Sequence, residues 1–270
     1  MNLQGKTALI TGASRGIGRA IALEFAQQGI RCLILVARNA KRLAEVAIEV
    51  EALGGQAVVL PLDLTQPIEV NVAVARAWRN YGPIDLLVNC AGVSHQTPFL
   101  QSRLTDVQSE IDTNLIGLYT VTRLIARRMA VYQQGHIVNV SSLMGKVAAP
   151  TMATYSATKF AILGFSQALR GELAPYNVRV TALLPSLTDT DMVRNFQWFR
   201  WVSPMTPTQV AKALVKGLHW GTSEILVGWQ TRLAVGCSRL DPHFIERIVQ
   251  WSAPSPHVRR TFRMRKIFSP

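Results

Sequence analysis

Uninterrupted apolar runs alternate with amphipathic stretches along most of the chain. Thr7–Thr11 (T-A-L-I-T) predicts a buried strand, and Gly16–Gln28 places its apolar residues at helical spacing. Cys32–Ala37 (C-L-I-L-V-A) predicts a second strand, followed by a helix over Ala40–Leu53. Ala57–Pro61, Leu86–Asn89, His136–Ser141 and Val178–Leu184 supply four more strands, separated by helical stretches, and Glu224–Gly228 ends the series. Apolar runs without alternation indicate strands covered on both faces. Repeated β-α-β units with right-handed crossovers give one α/β domain, a doubly wound parallel sheet with helices on both faces. Before about residue 250 the chain has no Pro/Gly/Ser linker, repeat or low-complexity tract. The expected organisation is a single domain over residues 1–228 and a C-terminal extension over 229–270.

The turn after the first strand is Thr11-Gly12-Ala13-Ser14-Arg15-Gly16-Ile17-Gly18, opening directly into a helix. Small residues let the backbone approach a pyrophosphate, and the helix N-terminus favours its charge. Placement between strand and helix points to a Rossmann-type dinucleotide site, although the spacing is G-x-x-x-G-x-G rather than G-x-G-x-x-G. About 20 residues on, the second strand ends at Val36-Ala37-Arg38-Asn39. A carboxylate there would hold the ribose 2′-hydroxyl of NAD, whereas Arg accommodates the 2′-phosphate of NADP. Arg38 and Arg15 together make a guanidinium clamp for that phosphate, so NADP(H) is expected over NAD.

Tyr155 and Lys159 stand four apart within the apolar-periodic stretch Ala153–Ala174, on one helix face. Ser142 follows the strand at His136–Ser141, where open α/β sheets place their ligand crevice. Reduction of a ketone needs a proton on the developing alkoxide as hydride arrives. A phenol, ordinarily titrating near about 10, serves poorly at neutral pH unless a nearby ammonium lowers it. A serine hydroxyl can fix the substrate oxygen.

Thr11–Gly18, Asn89-Cys90-Ala91-Gly92, Asn114, Ser142, Tyr155 and Lys159 together resemble the short-chain dehydrogenase/reductase family, over roughly residues 5 to 192. The resemblance implies that Ser142 orients the substrate carbonyl, Tyr155 donates the proton, and Lys159 binds the nicotinamide ribose and lowers the tyrosine's pKa. It implies that Asn114 holds a proton-relay water, that Asp63 and Leu64 contact adenine, and that Asn89, Ala91 and Gly92 line the adenosine ribose. Gly12, Ser14, Arg15, Gly16, Ile17, Gly18 and Arg38 would hold the phosphates. Pro185, Thr188 and Thr190 would meet the nicotinamide, with a short lid over about 191–206 beyond them. Three departures stand out. Cys90 replaces a usual asparagine, Ser186 stands where Gly is usual, and no Asp-Gly-Gly follows the last strand. The last weakens a close match to bacterial 3-oxoacyl-carrier-protein reductases.

Asp191–Trp201 is aromatic and carries two arginines, which suits a hydrophobic substrate, with or without an anionic end, or a plain packed connection. Thr206-Pro207-Thr208-Gln209 reads as a capping box opening a helix. His95, close after Gly92, reads as a loop hydrogen-bonding group or a residue at the substrate mouth.

Composition narrows the classes. At 49% hydrophobic and 17% charged residues the chain is globular. Three scattered cysteines show no metal-ligand spacing and fit reduced thiols, and no metal is expected. No basic-then-apolar leader precedes the first strand, and no uncharged apolar run reaches the ~18–20 residues of a spanning helix. A cytoplasmic location is expected. The net charge of +13 is uneven, with eight Lys/Arg and two Asp/Glu from Trp229 to Pro270. Pro242–Trp251 predicts an amphipathic helix, and Val258–Phe268 interleaves five cations with Phe262, Met264, Ile267 and Phe268. Such a tail suits a packed helix with a solvated end, a subunit contact, or peripheral membrane association. Nucleic acid is not an expected partner. The helices after Asn114 and Ala153 are rich in apolar residues, and the resemblance implies that they pair subunits into a homodimer or homotetramer.

The expected activity is NADPH-dependent hydride transfer on a small ketone or alcohol, with 3-oxoacyl-thioester reduction as the alternative substrate class. A non-catalytic NADPH-sensing module is the rival from another class, disfavoured by the complete Asn114/Ser142/Tyr155/Lys159 set. A sugar-nucleotide epimerase is disfavoured by length and glycine spacing.

Overall fold

In the computed structural model, which describes residues 1–197, 199–200 and 202–254, the chain begins with β1 (Thr7–Thr11), α1 (Gly16–Gln27), β2 (Cys32–Ala37), α2 (Ala40–Ala52) and β3 (Gln56–Pro61). It crosses back through α3 (Pro67–Tyr81) to β4 (Leu86–Asn89), then α4 (Leu104–Ile111), a π-helical turn (Asp112–Gly117) and α5 (Leu118–Val131). β5 (Gly135–Val140), α6 (Ala153–Leu173), β6 (Val178–Pro185), α7 (Pro207–Trp220), β7 (Glu224–Val227), α8 (Trp229–Leu240) and α9 (Pro242–Ser252) complete it.

Among the described residues the strands form one sheet in the order β3-β2-β1-β4-β5-β6-β7, with every pairing parallel. Alternate strand residues face opposite sides, and both sides are apolar. Ala8, Ile10, Leu33 and Leu35 pack with Ile21 and Phe25 of α1, Leu43 of α2 and Leu214 of α7. Leu9, Ile34, Leu87 and Ile137 pack with Val74 of α3 and Val121 and Ile125 of α5. This two-sided burial is why the strands read as unbroken apolar runs. The chain leaves β1 for β2 on one side and returns to β4 on the other. That reversal opens a crevice at the C-terminal ends of β1 and β4.

The predicted strands and helices are present, with ends displaced by one or two residues, as fraying ends allow. The Thr206 capping box forms in full, the Thr206 hydroxyl accepting from Gln209 N and the Gln209 side chain from Thr206 N. Two features were not anticipated: helix α8, and the π-helical turn that carries Asn114. Trp198, Trp201 and Val258–Phe268 lie outside the described residues.

Candidate active site

The turn after β1 is built on glycine for steric reasons. A Cβ on Gly18 would stand 2.2 Å from the carbonyl oxygen of Gly12, and one on Gly12 would stand 2.8 Å from the Ala91 Cα. Gly12 and Gly16 also adopt positive φ, at 69° and 56°. Helix α1 therefore starts hard against β1 and the strip after β4, and its free amides face a cleft of about 630 Å³. Thr11 ties the turn down, its hydroxyl accepting from Cys90 N at 3.0 Å and Ala91 N at 3.1 Å.

Gly12, Ser14, Arg15, Gly16, Ile17, Gly18, Arg38, Asp63 and Leu64 line one end of this cleft. Arg42 joins Arg15 and Arg38 there, so three guanidiniums gather where only two were expected. Asp63 turns its Oδ1 to Thr65, accepting from its N–H at 3.0 Å and its hydroxyl at 2.9 Å. Ala91, Gly92, Pro185, Thr188 and Thr190 line the middle. Asn89 does not reach the cleft. Its side chain points into the core, donating to Thr122 Oγ1 at 2.8 Å and Asn139 Oδ1 at 2.9 Å. As the last residue of a strand covered on both faces, it buries its side chain in a polar relay rather than opening it to ligand.

Ser142, Tyr155 and Lys159 meet at the other end. Ser142 caps a short turn, accepting from Met144 N at 3.1 Å, and its hydroxyl acts to lower the pKa of Tyr155. Lys159 Nζ donates to the Val140 carbonyl at 3.0 Å and lies 5.4 Å from the Tyr155 ring centroid. Asn114 is wholly buried behind them. It grips Val93, accepting from its N–H at 2.8 Å and donating to its carbonyl at 3.0 Å, and also donates to Thr158 Oγ1 at 3.1 Å. Gly92 leaves open the space before this pair, since a Cβ there would stand 3.2 Å from Asn114 Oδ1 and 3.7 Å from Lys159 Nζ.

Charge in this pocket differs from the sequence expectation in one direction. Burial pushes the Tyr155 phenol up to about 12, outweighing the lowering by Ser142, with Glu110 and Cys90 adding to the rise. Burial likewise brings Lys159 down to about 8. The expected lowering of Tyr155 by Lys159 is not realised here because both groups pay desolvation in one apolar wall. Tyr155 is consequently a protonated phenol at neutral pH, the form that donates a proton to a carbonyl.

A family model described as short chain dehydrogenase matches residues 6–200. The chain belongs to the short-chain dehydrogenase family. It is similar to the ketoacyl reductase HetN of a Nostoc species, 32% identical over 258 residues that span 92% of this chain and 90% of that protein. It is also similar to the 3-oxoacyl-(acyl-carrier-protein) reductase FabG of Aquifex aeolicus, 37% identical over 193 residues, or 71% and 77% of the two chains. Among solved structures it is similar to a short chain dehydrogenase from Burkholderia cenocepacia in complex with NADP (TM-score 0.82, 28% identity, covering 94% of this chain and 100% of that one).

Within this short-chain dehydrogenase the apolar end of the cleft includes the 191–206 segment that the sequence singled out, together with walls that it did not. Leu143, Met144, Val147, Ala149 and Met152 form one wall, and Met192, Val193, Phe196, Phe199 and Val202 of the lid form another. Ala234 of α8 and Val249 of α9 close it, so the C-terminal extension contributes to the cleft. The segment after β6 is held in place by several bonds. Its base pairs Asp189 N with Met205 O and Met205 N with Leu187 O, both at 2.9 Å. Gln96 and Gln197 bond reciprocally at 2.9 and 2.7 Å, and Arg200 N donates to Ser252 O of α9 at 2.9 Å. Cys90 packs against the apolar core, and burial pushes its thiol up to about 12. Ser186 keeps negative φ, so the turn there does not require glycine. His95 lies outside the main cleft, beside a small cavity under α4.

Proposed function

We propose that this chain is an NADP(H)-dependent carbonyl reductase acting on a hydrophobic ketone, with the reverse alcohol oxidation available. The observation that carries the reading is the polarity of one cleft: three guanidiniums at the nucleotide end, and Ser142, Tyr155 and Lys159 before an apolar chamber. The glycine cradle and the space before Gly92 fit a dinucleotide with a 2′-phosphate, which Arg15, Arg38 and Arg42 would hold. Bound, the cofactor supplies hydride to the carbonyl carbon. Ser142 orients the carbonyl oxygen, and Tyr155 transfers its phenolic proton to that oxygen as charge develops. Lys159, charged below about 8, then steadies the tyrosinate. The lid and α9 exclude water.

NADPH should bind more tightly than NADH, Arg38→Asp should shrink that preference, and turnover of a ketone panel should be lost in Tyr155→Phe. Equal affinity for the two nucleotides, or turnover independent of Tyr155, would overturn the reading. A 3-oxoacyl thioester is the second candidate substrate, favoured by the relatives named as ketoacyl reductases. Acetoacetyl-coenzyme A in the panel separates the two.

Assembly and location belong to the same proposal. Ile116, Tyr119 and Phe160 are exposed at 46%, 53% and 44% on α5, α6 and the turn before them, and suit a homodimer or homotetramer of a cytoplasmic enzyme. Sedimentation should show an oligomer that Phe160→Glu weakens. The outer faces of α8 and α9 expose Trp229, Leu233, Phe244 and Ile248, and favour peripheral contact with an anionic membrane together with the basic tail. Vesicle flotation with Leu233→Glu as control tests that contact.

A further inference from the structure

Helices α8 and α9 pack against each other at the apolar end of the cleft, and each is apolar on more than its inner side. Ala234 of α8 and Val249 of α9 line the chamber. The residue just before each is apolar and exposed, Leu233 at 58% and Ile248 at 38%. Neighbouring residues of a helix stand about a quarter-turn apart, so apolar surface runs round each helix from the chamber wall to the outside. On α9 one apolar arc of about 140° passes from exposed Phe244 through Ile248 and Ile245 to Val249. A helix resting on a core needs a stripe of only about 100°, and the Phe244 edge of this arc stays uncovered. On α8 the exposed Trp229, Leu233 and Leu240 fall within about 40° of one another and form a second stripe.

Charge complements these stripes. Arg232 and Arg239 flank the one on α8, and Arg247 the arc on α9, all exposed and on the flank away from the chamber. Positions 255–270, outside the described residues, add five cations (Arg259, Arg260, Arg263, Arg265 and Lys266) and no carboxylate. Apolar stripes beside arginines suit the interface of an anionic bilayer, where side chains enter the acyl region and guanidiniums meet phosphates. A second copy of this chain would set the same cations against themselves, so charge disfavours that occupant. Inside the cleft, the charged residues among those described are Arg15, Arg38, Arg42, Asp63 and Asp191 around the glycine-turn end, and Lys159 beside Tyr155. The walls at Met152, Phe199, Val202, Ala234 and Val249 offer apolar side chains only. They suit a neutral hydrocarbon tail and give the amides of a polar carrier arm nothing to bond.

We propose that the substrate is a neutral long-chain ketone dissolved in an anionic membrane, drawn into the chamber past α8 and α9 while their outer stripes rest in the bilayer interface. The inference rests on the reductase reading and its membrane contact, and adds the class and source of the substrate. Because apolar surface is continuous round both helices, the lipid tail passes from acyl region to chamber without hydrating its methylenes. Reduction then runs as above, with hydride passing from the cofactor to the carbonyl carbon and the phenolic proton of Tyr155 to its oxygen.

In the test, the full-length protein meets a long-chain methyl ketone in vesicles of phosphatidylcholine, with and without phosphatidylglycerol, and a short soluble ketone for comparison. Phosphatidylglycerol should raise kcat/KM for the long ketone about tenfold and leave the short one within about twofold. The double variant Leu233→Glu with Phe244→Glu changes exposed positions outside the cleft, and should abolish that gain while NADPH binding and short-ketone turnover are kept. Equal reduction of the long ketone from neutral vesicles, or by the double variant, overturns the proposal. So does a double variant that changes sedimentation but not turnover from vesicles, since the stripes would then be a subunit contact. If neither ketone is turned over, the reductase reading fails, and photolabelling still decides the route. A diazirine-bearing long-chain ketone in the anionic vesicles should label the cleft wall at Val147 and Met152 in the wild type and not in the double variant. No label there, or equal label in both, overturns the inference.

Discussion

Asp191, the first residue of the lid, accepts a hydrogen bond from Arg15 of the glycine turn at 3.3 Å, across 176 residues of sequence. The same carboxylate pairs with Arg42 at 3.2 Å and with Arg194 at 2.7 Å. Although desolvation acts the other way, these guanidiniums hold its carboxyl below the usual range. If Arg15 and Arg42 hold the nucleotide phosphates as proposed, Asp191 would draw on the same cations. Asp191→Asn should tighten NADPH binding, and because exposed ion pairs are worth at most about 1 kcal/mol, the gain should stay within about fivefold. Fluorescence titration checks this; weaker binding would mean that Asp191 organises the arginines rather than competing for them.

Lys159 makes a stability prediction whose sign can be worked out. Burial lowers it from 10.5 to about 8, so between those values the unfolded chain binds the extra proton. Stability from this group rises with pH across that window, and its cost is complete below about 8. The shift corresponds to roughly 3 kcal/mol, and losing the bond to Val140 offsets about 1. Lys159→Met should accordingly be more stable at pH 7 by about 2 kcal/mol, with the advantage shrinking toward pH 10. Urea unfolding at the two pH values measures it, and a less stable variant would show that the ammonium is well compensated where it lies.

The glycines separate into two kinds. Gly18 faces the Gly12 carbonyl at 2.2 Å from its notional Cβ, whereas Gly164, inside α6, has nothing within 4 Å. Gly18→Ala should abolish NADPH binding and cost more than about 3 kcal/mol, since the contact is with backbone that cannot turn aside. Gly164→Ala should stabilise by about 0.5–1 kcal/mol, the ordinary helix-propensity gain. Chemical denaturation of both variants checks the contrast.

The sheet was legible because a strand covered on both faces must be apolar at every position, as in Cys32–Ala37. The glycine turn that lines the cleft was legible because it is one continuous segment. Asn89 was misplaced because adjacency in sequence to Ala91 and Gly92 does not say which way a strand's last side chain points. The shift of Tyr155 was misjudged because spacing shows that Lys159 is near, but not that both are desolvated together. Arg42, Ala234 and Val249 join the cleft through tertiary packing of distant elements, which no local pattern signals, whereas the aromatic run that holds Phe196 was visible in the sequence.

That packing gives the C-terminal extension a task that can be isolated. Ala234 lines the cleft from α8, about a quarter-turn round that helix from the exposed Leu233. A bulky side chain at this point would fill part of the apolar end of the cleft. Ala234→Phe should leave NADPH affinity within about twofold and raise KM for long-chain ketones about tenfold, while short ketones are spared, because one or two displaced methylenes are worth about 1–2 kcal/mol. Steady-state kinetics across a homologous series of ketones reads this directly. A uniform loss for all chain lengths would instead mean that α8 supports the lid as a whole, through the Arg200–Ser252 bond that anchors the lid to its neighbour α9.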